Sequence, residues 1–450
     1  MPRLATILMT VGLLGSLLAS PVSITGLATE FRTTSGNRTI VRSVSATTRL
    51  GFDDDSEGLM DAPSYQPGVE GFGAFDHGGY MMEYGGGCQV GGDCGVGMGC
   101  GVGMGCYEPL CVERFWVELE FLLWWRESRF YPALVTGNDP GVLPEATVLF
   151  GGSTVSEQAR PGGRLQFGMW LDDCQCLGIG GRFVSIGEAK NRFELNSGDL
   201  PFFARPFFDD ASGQQEALVI DNMGTLGTTQ GRIQVLTESE FLAADAFLRC
   251  LLMRTGNSRL DFLFGYQMGR LNESLLIEST SSSTGTTTAA SSLSVRDSFQ
   301  TRNEFHGGHF GIQGRYQRGC WGLELMAKFG FGNMNQRAEL SGATDPNRPN
   351  SGLLVQQGSN AGSHTRDTFS YMHDTGIKLF YHPVDRVKLS VGYNLMFFSS
   401  VLRPGDQIDT MVDSRFFGPQ PPPNAVHPAF NFNSTHFYAH GLNLGLEYRF

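Results

Sequence analysis

The sequence predicts an all-β protein, an up-and-down antiparallel transmembrane β-barrel of about 10–12 strands behind a disordered Gly/Cys-rich N-terminal extension. Three observations predict it. Apolar residues recur at every second position over long stretches, short and long connections alternate between those stretches, and the closing stretch ends on an aromatic residue. Composition agrees: 60 glycines, 34 phenylalanines and a charged fraction of 17 % depart from soluble averages, where charge is about a quarter. The net charge of −12, with no basic run, excludes a nucleic-acid partner, because phosphate binding needs clustered Lys and Arg.

Taken in order, Arg3 precedes an apolar run from Leu4 to Leu18. That is the layout of a signal peptide, expected over 1–28 with cleavage after Ala28 or near Ser20. The run is shorter than the about 20 residues of a spanning helix. No later run is long enough either, so a mature chain that spans a membrane must do so as a closed barrel.

Residues 29–110 are expected to form a flexible extension. They include the acidic Asp53-Asp54-Asp55 and a Gly/Met/Cys segment at 71–106, where Cys88, Cys94, Cys100 and Cys106 recur every six residues. So much glycine cannot bury a core of its own.

The barrel is expected over 111–450. Phe115, Val117, Leu119, Phe121, Leu123 and Trp125 alternate with Glu118 and Glu120, the period of a strand with two different faces. Similar alternation runs over 164–172, 260–269, 321–331 and 387–397, and more weakly over 177–187, 242–252, 309–316 and 369–381. A soluble sandwich also alternates, but its strands run about five or six residues. These approach the about 9–11 of a tilted membrane strand.

Short links at 173–175, 253–257, 317–319 and 382–385 separate hairpins, and longer connections around 126–163, 188–232, 271–304, 332–367 and 401–435 lie between them. Short turns on one side and long loops on the other are the asymmetry of outer-membrane barrels. One opening strand, four hairpins and one closing strand make ten; a further hairpin within 205–240 would make twelve. Ser279–Ser292 and Pro419–Pro423 are expected to be exposed loop tips. In the closing strand, Leu442, Leu444, Leu446, Tyr448 and Phe450 alternate up to a terminal aromatic, the pattern of a barrel-assembly signal read by the insertion machinery.

Several phrases resemble a family of bacterial envelope proteins, the seventh putative β-barrel porin family to be so named. They are Glu118-Leu119-Glu120-Phe121-Leu122-Leu123-Trp124-Trp125, Thr147-Val148-Leu149-Phe150-Gly151-Gly152, Gly162-Gly163-Arg164 through Trp170-Leu171-Asp172-Asp173, and Ala204-Arg205-Pro206-Phe207-Phe208. The resemblance covers about 115–450. It implies a membrane barrel and no catalytic residue or substrate.

Alternation places Glu118, Glu120, Asp172, Asp245, Asp261, Glu324 and Glu447 in the lumen with Arg164, Arg182, Arg249, Lys328, Lys388 and Arg449. Mixed sign favours cross-strand ion pairs over a single-sign filter, and a ring near ten strands is only slightly wider than one filled by its own side chains.

No metal is expected. His306 and His309 face opposite ways on a strand, and His436 with His440 lacks a third ligand nearby. No cofactor motif, nucleophile elbow or phosphate loop is present, and His373 reads as a strand residue. The nine cysteines, Cys88, Cys94, Cys100, Cys106, Cys111, Cys174, Cys176, Cys250 and Cys320, read as possible disulfides in an exported protein.

The expected function is porin-like passive passage of small solutes. The alternative is a structural or surface-display envelope protein, and a lipid-modifying barrel enzyme comes third, so the chain is not read as an enzyme. Expected partners are outer-membrane lipid, the insertion machinery and, through the cysteines, other envelope proteins.

Overall fold

The computed structural model describes residues 113–155, 158–223, 228–284, 291–346, 348–418 and 425–450. The expected leader, the extension with its Gly/Cys segment, and Pro419–Pro423 lie outside the described residues.

Ten long strands carry the architecture: β1 (Phe115–Arg126), β2 (Arg160–Trp170), β3 (Leu177–Asn196), β4 (Thr228–Arg254), β5 (Ser258–Thr284), β6 (Ser291–Arg318), β7 (Trp321–Asp345), β8 (Gly362–Val384), β9 (Val387–Leu402) and β10 (Ser434–Arg449). Each pairs antiparallel with its sequence neighbours. The last pairs back onto the first, from Trp116 opposite Arg449 to Arg126 opposite Ala439. The pairing therefore forms a ring, and the links at 171–176, 255–257, 319–320 and 385–386 all fall at one end of it.

The ring has two storeys of opposite polarity. In the lower storey, nearer the short turns, the outward residues are apolar and exposed: Leu119 and Phe121 on β1, Phe264 and Tyr266 on β5, Leu325 and Phe329 on β7, Leu444 and Leu446 on β10. Charged residues point inward. On β5 the pattern inverts after Met268. Outward positions become Arg270, Asn272, Ser274 and Glu278, while Leu271, Leu275 and Ile277 turn inward and are buried. Ion pairs line this upper outer face: Lys190 with Glu238 at 3.0 Å, Arg232 with Glu194 at 2.6 Å, and Arg270 and Arg302 with Glu304 at 2.7 Å each.

Only β3 to β8 reach far into the upper storey, so the sheet is open there. Its inner face packs against the connections. Tyr131, Leu134, Phe203, Phe207, Leu353, Val355 and Val412 join Ile233, Val235, Leu275, Ile277, Val295 and Phe299 in one apolar core. Asp297 ties the 346–361 connection into that core, accepting hydrogen bonds from the backbone of Leu353 (3.3 Å), Leu354 (2.9 Å) and Val355 (2.9 Å) and a 2.5 Å bond from Arg205.

Three expectations are corrected. The connection expected over 271–304 is mostly strand, because β5 runs to Thr284 and β6 starts at Ser291. Ser279–Thr284 and Ser291–Ser292 are therefore wall rather than loop tip, a conformation that small hydroxyl residues accept when neighbouring strands take their backbone hydrogen bonds. The connection expected over 332–367 likewise shrinks, since β7 runs to Asp345 and β8 starts at Gly362. The hairpin sought in 205–240 exists as strands Phe202–Asp209 and Gln214–Asn222, but it touches β4 at Thr229 opposite Asn222 and leaves the ring at ten.

Candidate functional site: the lumen

Inward positions at the short-turn end form an ionic floor. Asp261 on β5 takes Arg249 at 2.6 Å and Arg259 at 2.8 Å, and both guanidiniums lie over the Trp170 ring, at 5.1 and 4.4 Å from its centroid. Bulk here needs glycine opposite. A Cβ on Gly168 would meet the Trp116 ring at 2.2 Å, and one on Gly322 would meet the Phe380 ring at 2.1 Å. Lys388 pairs with Glu447 and lies 3.7 Å from both Glu118 and Glu324.

The next layer crosses the lumen. Lys378 holds Glu118 at 3.1 Å and Glu120 at 3.0 Å, and Arg164 holds Glu120 at 2.9 Å. Arg182 bridges Asp245 (2.8 Å) and Asp374 (2.6 Å), and Lys328 adds a 3.1 Å contact to Asp245. Arg164–Glu120 and Arg182–Asp245 are pairs between adjacent strands, whereas Lys378 with Glu118 and Glu120, Arg182 with Asp374, and Lys328 with Asp245 join strands that are not neighbours in the ring, so the network crosses the lumen as well as lining it. The cavity left among Arg164, Arg182, Glu324, Lys378 and Asn394 is about 10 Å3, no more than one water needs.

Above the charges sits an apolar plug. Phe241, Phe305, Phe398 and Phe437 come from β4, β6, β9 and β10, with ring centroids 5.7 Å apart for Phe241–Phe398, 5.2 Å for Phe241–Phe437 and 5.6 Å for Phe305–Phe398. Leu122, Trp124, Val184, Ile186, Met372 and Met396 complete it, all buried. Over the plug lies a second ionic layer, in which Arg403 contacts Glu273 at 3.2 Å and Glu127 at 3.3 Å. Burial alone would raise the Glu273 carboxyl, but the Arg403 guanidinium, with help from Arg129 and Arg126, holds it below the usual range. At Glu127 burial prevails and the carboxyl is raised.

Of the residues assigned to the lumen from sequence, Glu118, Glu120, Arg164, Arg182, Asp245, Arg249, Asp261, Glu324, Lys328, Lys388 and Glu447 are buried inside the ring, and Arg449 is partly exposed at its mouth. Asp172 is corrected: it sits in the β2–β3 turn, where its carboxylate accepts the backbone N–H groups of Cys176 (2.7 Å) and Leu177 (2.5 Å). Leu442, Leu444, Leu446, Tyr448 and Phe450 all face outward and are exposed. Cys174, Cys176, Cys250 and Cys320 lie in or beside the short links, whereas Cys88, Cys94, Cys100, Cys106 and Cys111 lie outside the described residues.

Sequence reasoning missed Asp374, Lys378, Arg259 and the plug. Asp374 and Lys378 could have been found, since they stand on the face of β8 opposite Tyr371, Ile377 and Leu379. Among the described residues no group of three His, Cys, Asp or Glu is placed to hold a metal ion.

No curated protein matches the chain. Solved structures similar to it include the outer membrane protease OmpT from Escherichia coli (TM-score 0.38, 12 % identity, covering 75 % of this chain and 97 % of that one). The Pseudomonas putida toluene transporter TodX is also similar (0.19, 9 %, 75 % and 89 %), as is the outer membrane channel DcaP of Acinetobacter baumannii (0.13, 10 %, 74 % and 97 %). Such distant similarities transfer no residue role. The family model described as Putative beta barrel porin-7 matches residues 116–450, which include all of β2–β10 and all but the first residue of β1. The chain belongs to that family.

Proposed function

We propose that this protein is an outer-membrane barrel whose lumen is sealed, and that it anchors a water-exposed head as a structural or display element rather than passing solutes or catalysing a reaction. The filled lumen carries this reading: an ionic network lies under a phenylalanine plug, with a cavity of about 10 Å3 among Arg164, Arg182, Glu324, Lys378 and Asn394. Open water-filled barrels have about sixteen strands, and a mixed-sign network is a poor selectivity filter.

The outer face supports the membrane assignment. Near the short turns, Phe115 stacks on Phe450 (5.5 Å) and Trp321 packs on Tyr381 (4.8 Å). Higher up, a belt runs through Phe329, His373, Phe397, His436, Tyr438, His440 and Trp125, with neighbouring centroids 5.7 to 6.3 Å apart. About ten residues at roughly 3.3 Å, tilted by about 40°, put the two belts roughly 25 Å apart, the height of an apolar barrel band. The polar upper storey then stands in water outside it.

Partners in this reading are outer-membrane lipid and the insertion machinery that meets the outward face of β10. Planar-bilayer recording of the purified protein tests it. The expected result is no steady conductance; a steady ohmic current at low voltage would restore the passive-pore alternative.

A further inference from the structure

We propose that an arginine-lined cleft at the short-turn end is a docking site for an acidic peptide, recognised through its side-chain carboxylates. The cleft lies between the β4–β5 and β6–β7 turns and has a volume of about 360 Å3, within the range of ligand sites. Arg254, Arg259, Arg315 and Arg318 line it together with Asn257 and Gln317, and no carboxylate does.

Elsewhere at this end exposed arginines are neutralised. Arg114 pairs with Asp173, and Arg386 lies 3.5 Å from Glu113. In the cleft Arg315 lies 3.5 Å from Glu324, but two of the four arginines depart from that pattern. Arg254 donates only to neutral acceptors, the Cys174 carbonyl at 3.2 Å and Gln175 Oε1 at 3.3 Å. Arg318 has no carboxylate partner among the described residues. Asp261 is shared between two arginines, so Arg259 brings half a counter-charge into the cleft.

The polar remainder fits a peptide better than a bare anion. Guanidiniums offer planar forks that match carboxylates, and the Asn257 and Gln317 amides both donate and accept, as peptide groups require. The cleft also continues inward. A smaller cavity of about 40 Å3 shares Arg259 and Arg315 and adds Arg249 and Arg449 beside Glu113 and Glu447, so the charge turns mixed there and the site for carboxylates is the outer cleft. The proposal rests on the sealed-barrel reading only for the compartment, since short turns of outer-membrane barrels face the periplasm.

The test is fluorescence anisotropy of labelled hexaglutamate on the purified full chain in non-ionic detergent, where membrane orientation and conductance have no bearing. Saturable binding that weakens as salt rises is expected, with at least about tenfold loss in Arg254→Gln/Arg318→Gln and a smaller loss in Arg254→Lys/Arg318→Lys, which keeps the charge but not the planar fork. Should the double Gln variant fold poorly, Arg318→Gln alone, at an exposed side chain, gives the same readout with a smaller loss. Unchanged affinity in the folded Gln variants overturns the site. Equal binding of labelled hexaglutamine, or displacement by polyphosphate at lower concentration than by unlabelled hexaglutamate, overturns the ligand class.

Discussion

Replacing Arg182 with methionine should destabilise the barrel by about 3–5 kcal/mol, the cost of leaving a buried charge without its partner. The guanidinium meets Asp245 at 2.8 Å and Asp374 at 2.6 Å, and all three side chains are buried. Unit charges about 4 Å apart attract by about 4 kcal/mol at an effective dielectric of about 20, so the two pairs are worth about 8 kcal/mol before solvation. Removing the arginine also removes its own desolvation penalty of several kcal/mol, which brings the net loss into the stated range. Lys328, 3.1 Å from Asp245, is then the nearest cation left to the two carboxylates. Adding Asp374→Asn restores neutrality, so the double variant should be at least about 2 kcal/mol more stable than the sum of the two single losses implies. Urea unfolding in lipid vesicles, followed by tryptophan fluorescence, measures all four proteins. A single-variant loss below about 1 kcal/mol, or simple additivity, would refute the view that these charges are one electrically balanced unit.

Phe241→Ala with Phe398→Ala removes two crossing rings of the plug; each should cost about 3–5 kcal/mol, and the double variant should still carry no steady bilayer current, because the ionic layer beneath the plug is itself filled. A steady current would show that the plug alone seals the lumen. In the head, burial by itself would raise Asp209, but hydrogen bonds from Ser212, Ser414 and Ala211 overcome it and hold the carboxyl at about 2. A depressed carboxylate stabilises above its unfolded value of about 3.9 and loses that contribution as pH falls through about 2. Hydrogen-exchange protection around 403–418, taken relative to the intrinsic rate at each pH, should therefore fall between about pH 4 and 2 by an opening energy of about 1–2 kcal/mol, and an Asp209→Asn variant with the same pH profile would contradict this. Deleting Phe450 removes its stack on Phe115 and two backbone hydrogen bonds to that residue, of 2.9 and 3.0 Å, so folded protein recovered in membranes should fall; normal insertion would show that ring closure does not depend on it. Non-reducing peptide mapping should find a bridge from Cys174, Cys176, Cys250 or Cys320 to the 88–111 cysteines, and bridges confined to Cys88, Cys94, Cys100 and Cys106 would exclude that staple.

The lower storey was legible because one rule governs it. Where outward residues are apolar and inward ones charged, as from Phe115 to Trp125 or from Val387 to Phe397, the alternation stands out in the chain. The upper storey was not legible, because the same strands continue with the phase reversed. Past Met268 the apolar Leu271, Leu275 and Ile277 occupy the inward register, so a reader following outward hydrophobicity sees the pattern stop and infers a loop. The wall at Ser279–Thr284 was hidden for another reason: hydroxyl residues on both faces give no alternation to read. The floor and middle of the lumen could be placed residue by residue from parity alone, but which acid meets which base depends on contacts across the ring, such as Lys378 with Glu118, that no local spacing encodes. The plug escaped because Phe398 directly follows the outward Phe397, and adjacent apolar residues do not reveal which one points in.

The ion pairs on the outer face of the upper storey bear on how such a wall could reach the far side of a bilayer. Lys190–Glu238 and Arg232–Glu194 link β3 to β4, and Arg270–Glu304 links β5 to β6. Both partners of each pair thus belong to one hairpin, joined by its upper connection. If the lower storey spans the membrane, those connections travel ahead during insertion with the charged faces behind them. An isolated arginine at the bilayer midplane costs about 2–4 kcal/mol on a lipid-facing strand, and each of these hairpins carries at least one Lys or Arg there. Lys190 also has Glu188 on its own strand at 3.1 Å, but Arg232 and Arg270 meet a carboxylate only across the hairpin, so a hairpin that zips before it crosses presents both paired to lipid, whereas single strands threading one by one would not. The unit of translocation implied by this arrangement is the paired hairpin.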